Sequence, residues 1–102
     1  MIIHIEHFTS ALPDERIQEL YTSRMANLEA VPGLLQKHYL RYENGQHGAV
    51  YIWDSPEALQ AFQDGEMFRS IADTYQVSEW TNEVADVVLS LRAPEAAAGT
   101  LR

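Results

Sequence analysis

The chain has no cysteine. That excludes disulfides, thiolate metal sites and a cysteine nucleophile. It suits a reducing compartment, so a cytoplasmic location is expected. Long apolar runs are also missing. Nothing approaches the roughly 20 residues needed to span a bilayer, so no membrane partner is expected. The first residues, Met1-Ile2-Ile3-His4-Ile5-Glu6, carry no basic lead and no small-residue cleavage site, so no signal peptide is expected. Positive charge is scarce: seven Lys and Arg stand against fifteen Asp and Glu, for a net charge of −8. Between Asp54 and Asp86 the acids Asp54, Glu57, Asp64, Glu66, Asp73, Glu79, Glu83 and Asp86 face a single base, Arg69. Such a surface repels phosphate backbones, which argues against a nucleic-acid partner.

What remains is a core-forming composition. The 102 residues are 46% hydrophobic, enough for one domain. Residues 2–8 alternate and are rich in β-branched side chains, which predicts a first strand. Pro13-Asp14-Glu15 opens a helix, with acids at the positive end of its dipole. Ile17, Leu20, Tyr21, Met25 and Leu28 recur at helical spacing. Val31-Pro32-Gly33 ends that helix.

Residues 34–43 and 46–54 read as two strands joined by Asn44-Gly45, a strong two-residue hairpin signal that needs positive φ at both positions. A two-residue turn sets Leu40 opposite Ala49, His38 opposite Tyr51 and Gln36 opposite Trp53, all on one face. Leu35, Lys37, Tyr39 and Arg41 then share the other face with Val50 and Ile52. Ser55 caps a following helix, Pro56 takes its first position and Gly65 breaks it. A last strand is expected from about Val77 to Leu91. The expected organisation is one domain over residues 1–92 and a tail over 93–102, flexible or an arm onto a partner.

The order strand–helix–strand–strand–helix–strand predicts an α+β, ferredoxin-like βαββαβ sandwich: a four-stranded antiparallel sheet with its helices on one face. Val50 and Ile52 make the other face apolar, and nothing within the chain covers it. A second copy, sheet to sheet, is the simplest cover, so a homodimer is expected.

Two segments carry a resemblance to a known group: Val31-Pro32-Gly33-Leu34, and Ala49-Val50-Tyr51-Ile52-Trp53-Asp54-Ser55-Pro56-Glu57-Ala58. Over about residues 1–91 the chain resembles the dimeric α/β barrel superfamily. Within it the chain is most similar to the YdhR-type monooxygenases and the antibiotic-biosynthesis monooxygenases. The resemblance implies back-to-back sheets and a ligand cavity between sheet and helices. It also implies, for some members, oxygenation of polycyclic phenols without metal or flavin. Haem-degrading relatives use an Asn on the first strand and a His on the second helix. Here the first strand has no Asn and residues 55–76 have no His.

No metal-ligand spacing is convincing. His4 and His7 are three apart on a strand, so they point to opposite faces. The candidate chemistry is the cross-strand pair His38–Tyr51 beside Gln36–Trp53. A neutral His38 takes a phenolic proton, Tyr51 bonds the substrate oxygen, and Trp53 stacks on a flat ring. Gln36 and His4 complete the expected site, His4 being favoured over His7 for the cavity side. The expected ligand is a small apolar or aromatic molecule, and no cofactor is expected. A non-catalytic ligand-binding or stress-related homodimer with the same cavity is the alternative. A pocket of about 300 Å³ or more with His38 and Tyr51 pointing in favours chemistry. A space filled by Trp53, Phe62 and Phe68 speaks against it.

Overall fold

A computed structural model of the chain describes residues 1–93. The expected tail over residues 93–102 lies, apart from Ala93, outside the described residues. The elements run β1 (Ile2–Ser10), α1 (Asp14–Glu29), β2 (Leu34–Arg41), β3 (His47–Trp53), α2 (Pro56–Gln63), α3 (Glu66–Arg69), α4 (Ile71–Thr74) and β4 (Val77–Asp86). One four-stranded sheet has the order β2-β3-β1-β4, every pair antiparallel. This is the ferredoxin-like α+β arrangement the element order predicts.

Local chemistry sets the helix boundaries. Pro13, with φ −69°, precedes α1, and Asp14 and Glu15 occupy its first turn. The Ser55 side chain accepts the Ala58 N–H at 3.2 Å, and Pro56 fills the first helical position of α2. Gly65 separates α2 from α3. The two segments that carry the family resemblance meet in space, because the Asp54 N–H donates to the Gly33 carbonyl at 2.9 Å.

Strand alternation divides the sheet. Ile2, His4, Glu6 and Phe8 of β1 and His47, Ala49, Tyr51 and Trp53 of β3 are buried beneath the helices. Leu28, Leu59 and Phe62 close one core cluster with Tyr51 and Trp53. Ile17, Ile71 and Tyr75 close a second around Phe8. Ile3, Ile5, Val50, Ile52 and Leu40 lie on the opposite face, which no helix covers.

The β2–β3 register departs from the expectation by one residue. Arg41 pairs with His47, Tyr39 with Ala49, His38 with Val50 and Lys37 with Tyr51. The loop is three residues, not two. The Gly45 N–H donates to the Tyr42 carbonyl at 3.0 Å and the Tyr42 N–H to the Gln46 carbonyl at 2.9 Å. Only Gly45 takes a positive φ, +88°, while Asn44 does not. That is a type I turn closed by a glycine bulge, which adds one residue to the loop. Because side chains alternate, a one-residue slip turns a whole strand over. Lys37 and Tyr39 therefore face the helices, while His38 and Gln36 face away.

β4 also ends earlier than expected, at Asp86 rather than Leu91. Its register with β1 finishes at Ile2 opposite Asp86, so residues beyond have no strand to pair with. The Val87 N–H makes a last bond to the Met1 carbonyl at 2.9 Å.

Candidate functional site

The centre of the helix-covered face is built by three strands. Glu6 on β1 is 3% exposed. The Tyr51 hydroxyl on β3 donates to its Oε1 at 2.7 Å, and the Trp80 Nε1–H on β4 donates to its Oε2 at 3.0 Å. His4, fully buried, stacks on Tyr51 with centroids 4.8 Å apart, and its Nε2 lies 2.7 Å from Asn82 Oδ1. Trp53 lies on the other side of Tyr51 at 6.1 Å, and Phe62 packs against both rings.

Lys37, the only lysine of the chain, enters this face from β2. Its Nζ is 4.4 Å from the ring centroids of both Tyr39 and Tyr51. Burial lowers its ammonium from the ordinary 10.5 to about 8; Glu6 opposes that shift and Arg24 adds to it. The Tyr51 phenol is pushed well above 10.0, first by burial and then by the Glu6 charge and hydrogen bond. Burial raises Tyr39 to about 12 and also raises Tyr21 and Tyr75.

α1 supplies Tyr21 and Arg24. The Tyr21 and Tyr39 rings pack at 4.2 Å and bridge helix to sheet. Arg24 Nη2 donates to the Met67 carbonyl and to Ser70 Oγ, each at 3.0 Å. These groups surround a small, partly open cavity of about 20 Å³ lined by Glu6, Tyr21, Arg24, Lys37, Phe62 and Tyr75, among others. That is room for about one water molecule. Larger spaces lie outside it. A groove of about 330 Å³ runs between α1 and β2, lined by Met25, Leu28, Leu34, Leu35, Lys37 and Tyr39 with Glu29 and Gln36. Leu28 and Lys37 border both spaces.

The residues singled out from the sequence therefore separate. Tyr51, Trp53 and His4 lie together on the helix-covered face. His38 does not: it is exposed on the far face opposite Val50, so the His38–Tyr51 pair is corrected to Lys37–Tyr51. Gln36 pairs with Ile52 instead of Trp53 and is exposed, reaching only the rim of the outer groove. Tyr39 and Arg41, expected on the far face, sit on the helix side, where Arg41 pairs with Asp14 of α1. His7 lies on the far face, its Nε2 2.8 Å from Thr81 Oγ1. Trp53, Phe62 and Phe68 pack together in the interior, the filled space that speaks against chemistry there, and neither His38 nor Tyr51 is on the wall of the groove of about 330 Å³.

Glu6, Lys37, Arg24 and Trp80 were not among the site residues expected from the sequence. Glu6 follows from His4 by strand alternation. A lone lysine inside an apolar strand was a second available signal.

No protein-family model and no curated protein matches the chain. Solved structures do. SnoaB, a cofactor-independent oxygenase from Streptomyces nogalater, is similar with a TM-score of 0.73 at 14% identity, over 90% of this chain and 97% of that one. The heme-degrader MhuD from Mycobacterium tuberculosis, with two hemes in its active site, has a TM-score of 0.68 at 24% identity, over 90% and 100% of the two chains. An antibiotic biosynthesis monooxygenase has a TM-score of 0.68 at 18% identity, over 87% and 100%. The chain thus has the ferredoxin-like fold of the antibiotic-biosynthesis-monooxygenase-like proteins. At these identities the likeness is one of fold.

Haem does not fit the residues present. Residues 55–76 have no histidine to ligate the iron, and the first strand has no Asn. Among the described residues no three His, Asp or Glu side chains cluster as a metal site, and no helix is long and apolar enough to cross a membrane.

Proposed function

We propose that the chain is a cofactor-independent monooxygenase, working as a cytoplasmic homodimer on a small aromatic or polyketide-like substrate held between α1 and the sheet. The observation that carries this reading is the meeting of the Glu6 carboxylate, the Tyr51 phenol and Lys37 against a wall of aromatic rings at the foot of the α1–β2 groove. The likeness to the fold of SnoaB supports it by analogy.

A lysine that titrates near 8 is partly neutral at working pH and accepts a proton from an acidic C–H or O–H. In an anthrone-type substrate the resulting anion is the reductant. It passes electrons to molecular oxygen. One oxygen atom replaces the two hydrogens of the ring methylene as a carbonyl, and the other leaves as water. Tyr51, kept protonated by burial and Glu6, donates to the substrate oxygen only by turning from Glu6. Tyr39, on the wall of the groove, offers a face for a flat ring. Entry of a ring requires α1 to part from β2 at the Tyr21–Tyr39 contact.

Oxygen uptake with an anthrone, under metal chelation, tests this. The unmodified protein is expected to consume oxygen, Lys37→Met to lose at least about tenfold in rate, and His38→Ala to keep the rate. Uptake that is the same in Lys37→Met would refute the role of Lys37. The packing of Tyr51, Trp53 and Phe62 in the core favours a second reading, a homodimer that binds a ligand in the α1–β2 groove without chemistry, which predicts anthrone binding and no uptake.

The homodimer rests on the uncovered apolar face of Ile3, Ile5, Val50 and Ile52. Sedimentation is expected to give a dimer at micromolar concentration and a monomer for Ile52→Asp. A monomeric parent protein would contradict it.

A further inference from the structure

The small inner cavity brings two cations, Arg24 and Lys37, against one carboxylate, Glu6. Both Glu6 oxygens already accept hydrogen bonds, from Tyr51 and Trp80. Among the described residues neither cation has an Asp or Glu oxygen within 4.0 Å. Arg24 spends Nη2 on Met67 and Ser70, while its Nη1 is buried without a partner, as is the Tyr21 hydroxyl. With both cations protonated, this half-buried cluster holds one positive charge more than Glu6 neutralises, and water screens it only in part. Lys37 is also the inner end of the α1–β2 groove, whose other walls are Met25, Leu28, Leu34, Leu35 and Tyr39 with the polar Glu29 and Gln36. Apolar wall and unneutralised cation thus form one continuous surface.

We propose that this surface is an anion site and that the ligand is a ring-bearing monoanion. Its apolar ring lies in the groove along Met25, Leu34 and Tyr39. Its oxyanion lies on Lys37 and, past it, on the Arg24 guanidinium, which also acts on the Tyr75 phenol. A carboxylate and a phenolate share this chemistry. The inference builds on the oxygenase reading of the same site and adds the charge of its substrate. It also gives the reading a sequel, because a substrate that arrives neutral and loses its proton to Lys37 ends as the anion the site holds best.

The test compares naphthoate with naphthamide, equal in shape and different by one charge, by calorimetric titration. At about pH 7 naphthoate is expected to bind at least about tenfold more tightly. Raising the pH to about 9.5 should erode that preference as Lys37 loses its proton. The groups facing Lys37 are Glu6 on β1, Arg24 and Tyr21 on α1, Tyr39 on β2, Tyr51 on β3 and Tyr75 after α4; the phenols are held protonated by burial across this range. Lys37→Met should remove the pH dependence, and Arg24→Gln should weaken naphthoate while sparing naphthamide. If either variant fails to fold, the pH course of the unmodified protein decides. Equal affinity for acid and amide, or a preference that ignores pH, would overturn the inference whether or not oxygen is consumed. Selective naphthoate binding without oxygen uptake would sustain the anion site and sink the oxygenase reading.

Discussion

The Tyr51 hydroxyl donates to Glu6 Oε1 at 2.7 Å, across two neighbouring strands, with both residues almost fully buried at 1% and 3% exposure. A carboxylate in such a place depends on its donors, and Trp80 is its other one. This pair anchors the interior around which Lys37, His4 and Trp53 are arranged.

Tyr51→Phe keeps the ring and deletes the donor. It leaves one buried carboxylate oxygen unsatisfied and is expected to cost about 1–3 kcal/mol in urea denaturation. Trp80→Phe should cost a similar amount. The two losses should not add, because both variants act on the same carboxylate. A Tyr51→Phe change under about 0.5 kcal/mol would mean that water replaces the donor without penalty.

Two glycines of the β2–β3 region separate two kinds of cost. At Gly45 a Cβ meets nothing within 4 Å, but φ is +88°, so Gly45→Ala is expected to cost about 1 kcal/mol from backbone strain alone. At Gly48 a Cβ would stand 2.2 Å from the Glu6 carbonyl and 3.1 Å from His7 Cα, both backbone atoms of β1. Gly48→Ala must push β3 away from β1, so a loss above about 3 kcal/mol, or no folded protein, is expected. Equal losses at the two sites would contradict this packing.

Most of the architecture was legible in the sequence because it follows from local signals. Alternation in residues 2–8, the Ser55-Pro56 cap and the break at Gly65 mark their elements directly. The two-faced sheet followed from Val50 and Ile52 against Tyr51 and Trp53. The site was legible only on β1 and β3. On β2 everything hung on one loop residue. Asn-Gly suits a two-residue turn, but here it closes a three-residue one with only Gly45 at positive φ, and the dipeptide alone does not distinguish the two. The slip exchanged Lys37 and Tyr39 for His38 and Gln36. Arg24 was hidden for another reason. A helical cation reads as solvated until a partner surface is known, and its partners Met67 and Ser70 are more than forty residues away.

The pH dependence of stability follows from the buried groups. In the folded chain Lys37 binds its proton with a value of about 8, against 10.5 when unfolded. Between those values the unfolded chain holds more protons, so stability rises with pH. Tyr21, Tyr39, Tyr51 and Tyr75 act in the opposite sense. Raised above 10.0, they keep protons that the unfolded chain has lost, and stability falls with further increase. Chemical denaturation should therefore show stability climbing from about pH 8 to about pH 10, by on the order of 1–2 kcal/mol, and then dropping. Lys37→Met should be flat over the climbing range.

The central claim is that the hairpin register puts Lys37 inside the protein, beside Glu6 and Tyr51. Lys37 is the only lysine of the chain, so its Cε–Hε signal in a carbon–proton correlation spectrum is identified by residue type alone. Titrating the folded protein with that signal as the reporter measures the claim directly. The account predicts a midpoint of about 8. A midpoint near the ordinary 10.5 would place Lys37 in solvent and return the inner face to His38.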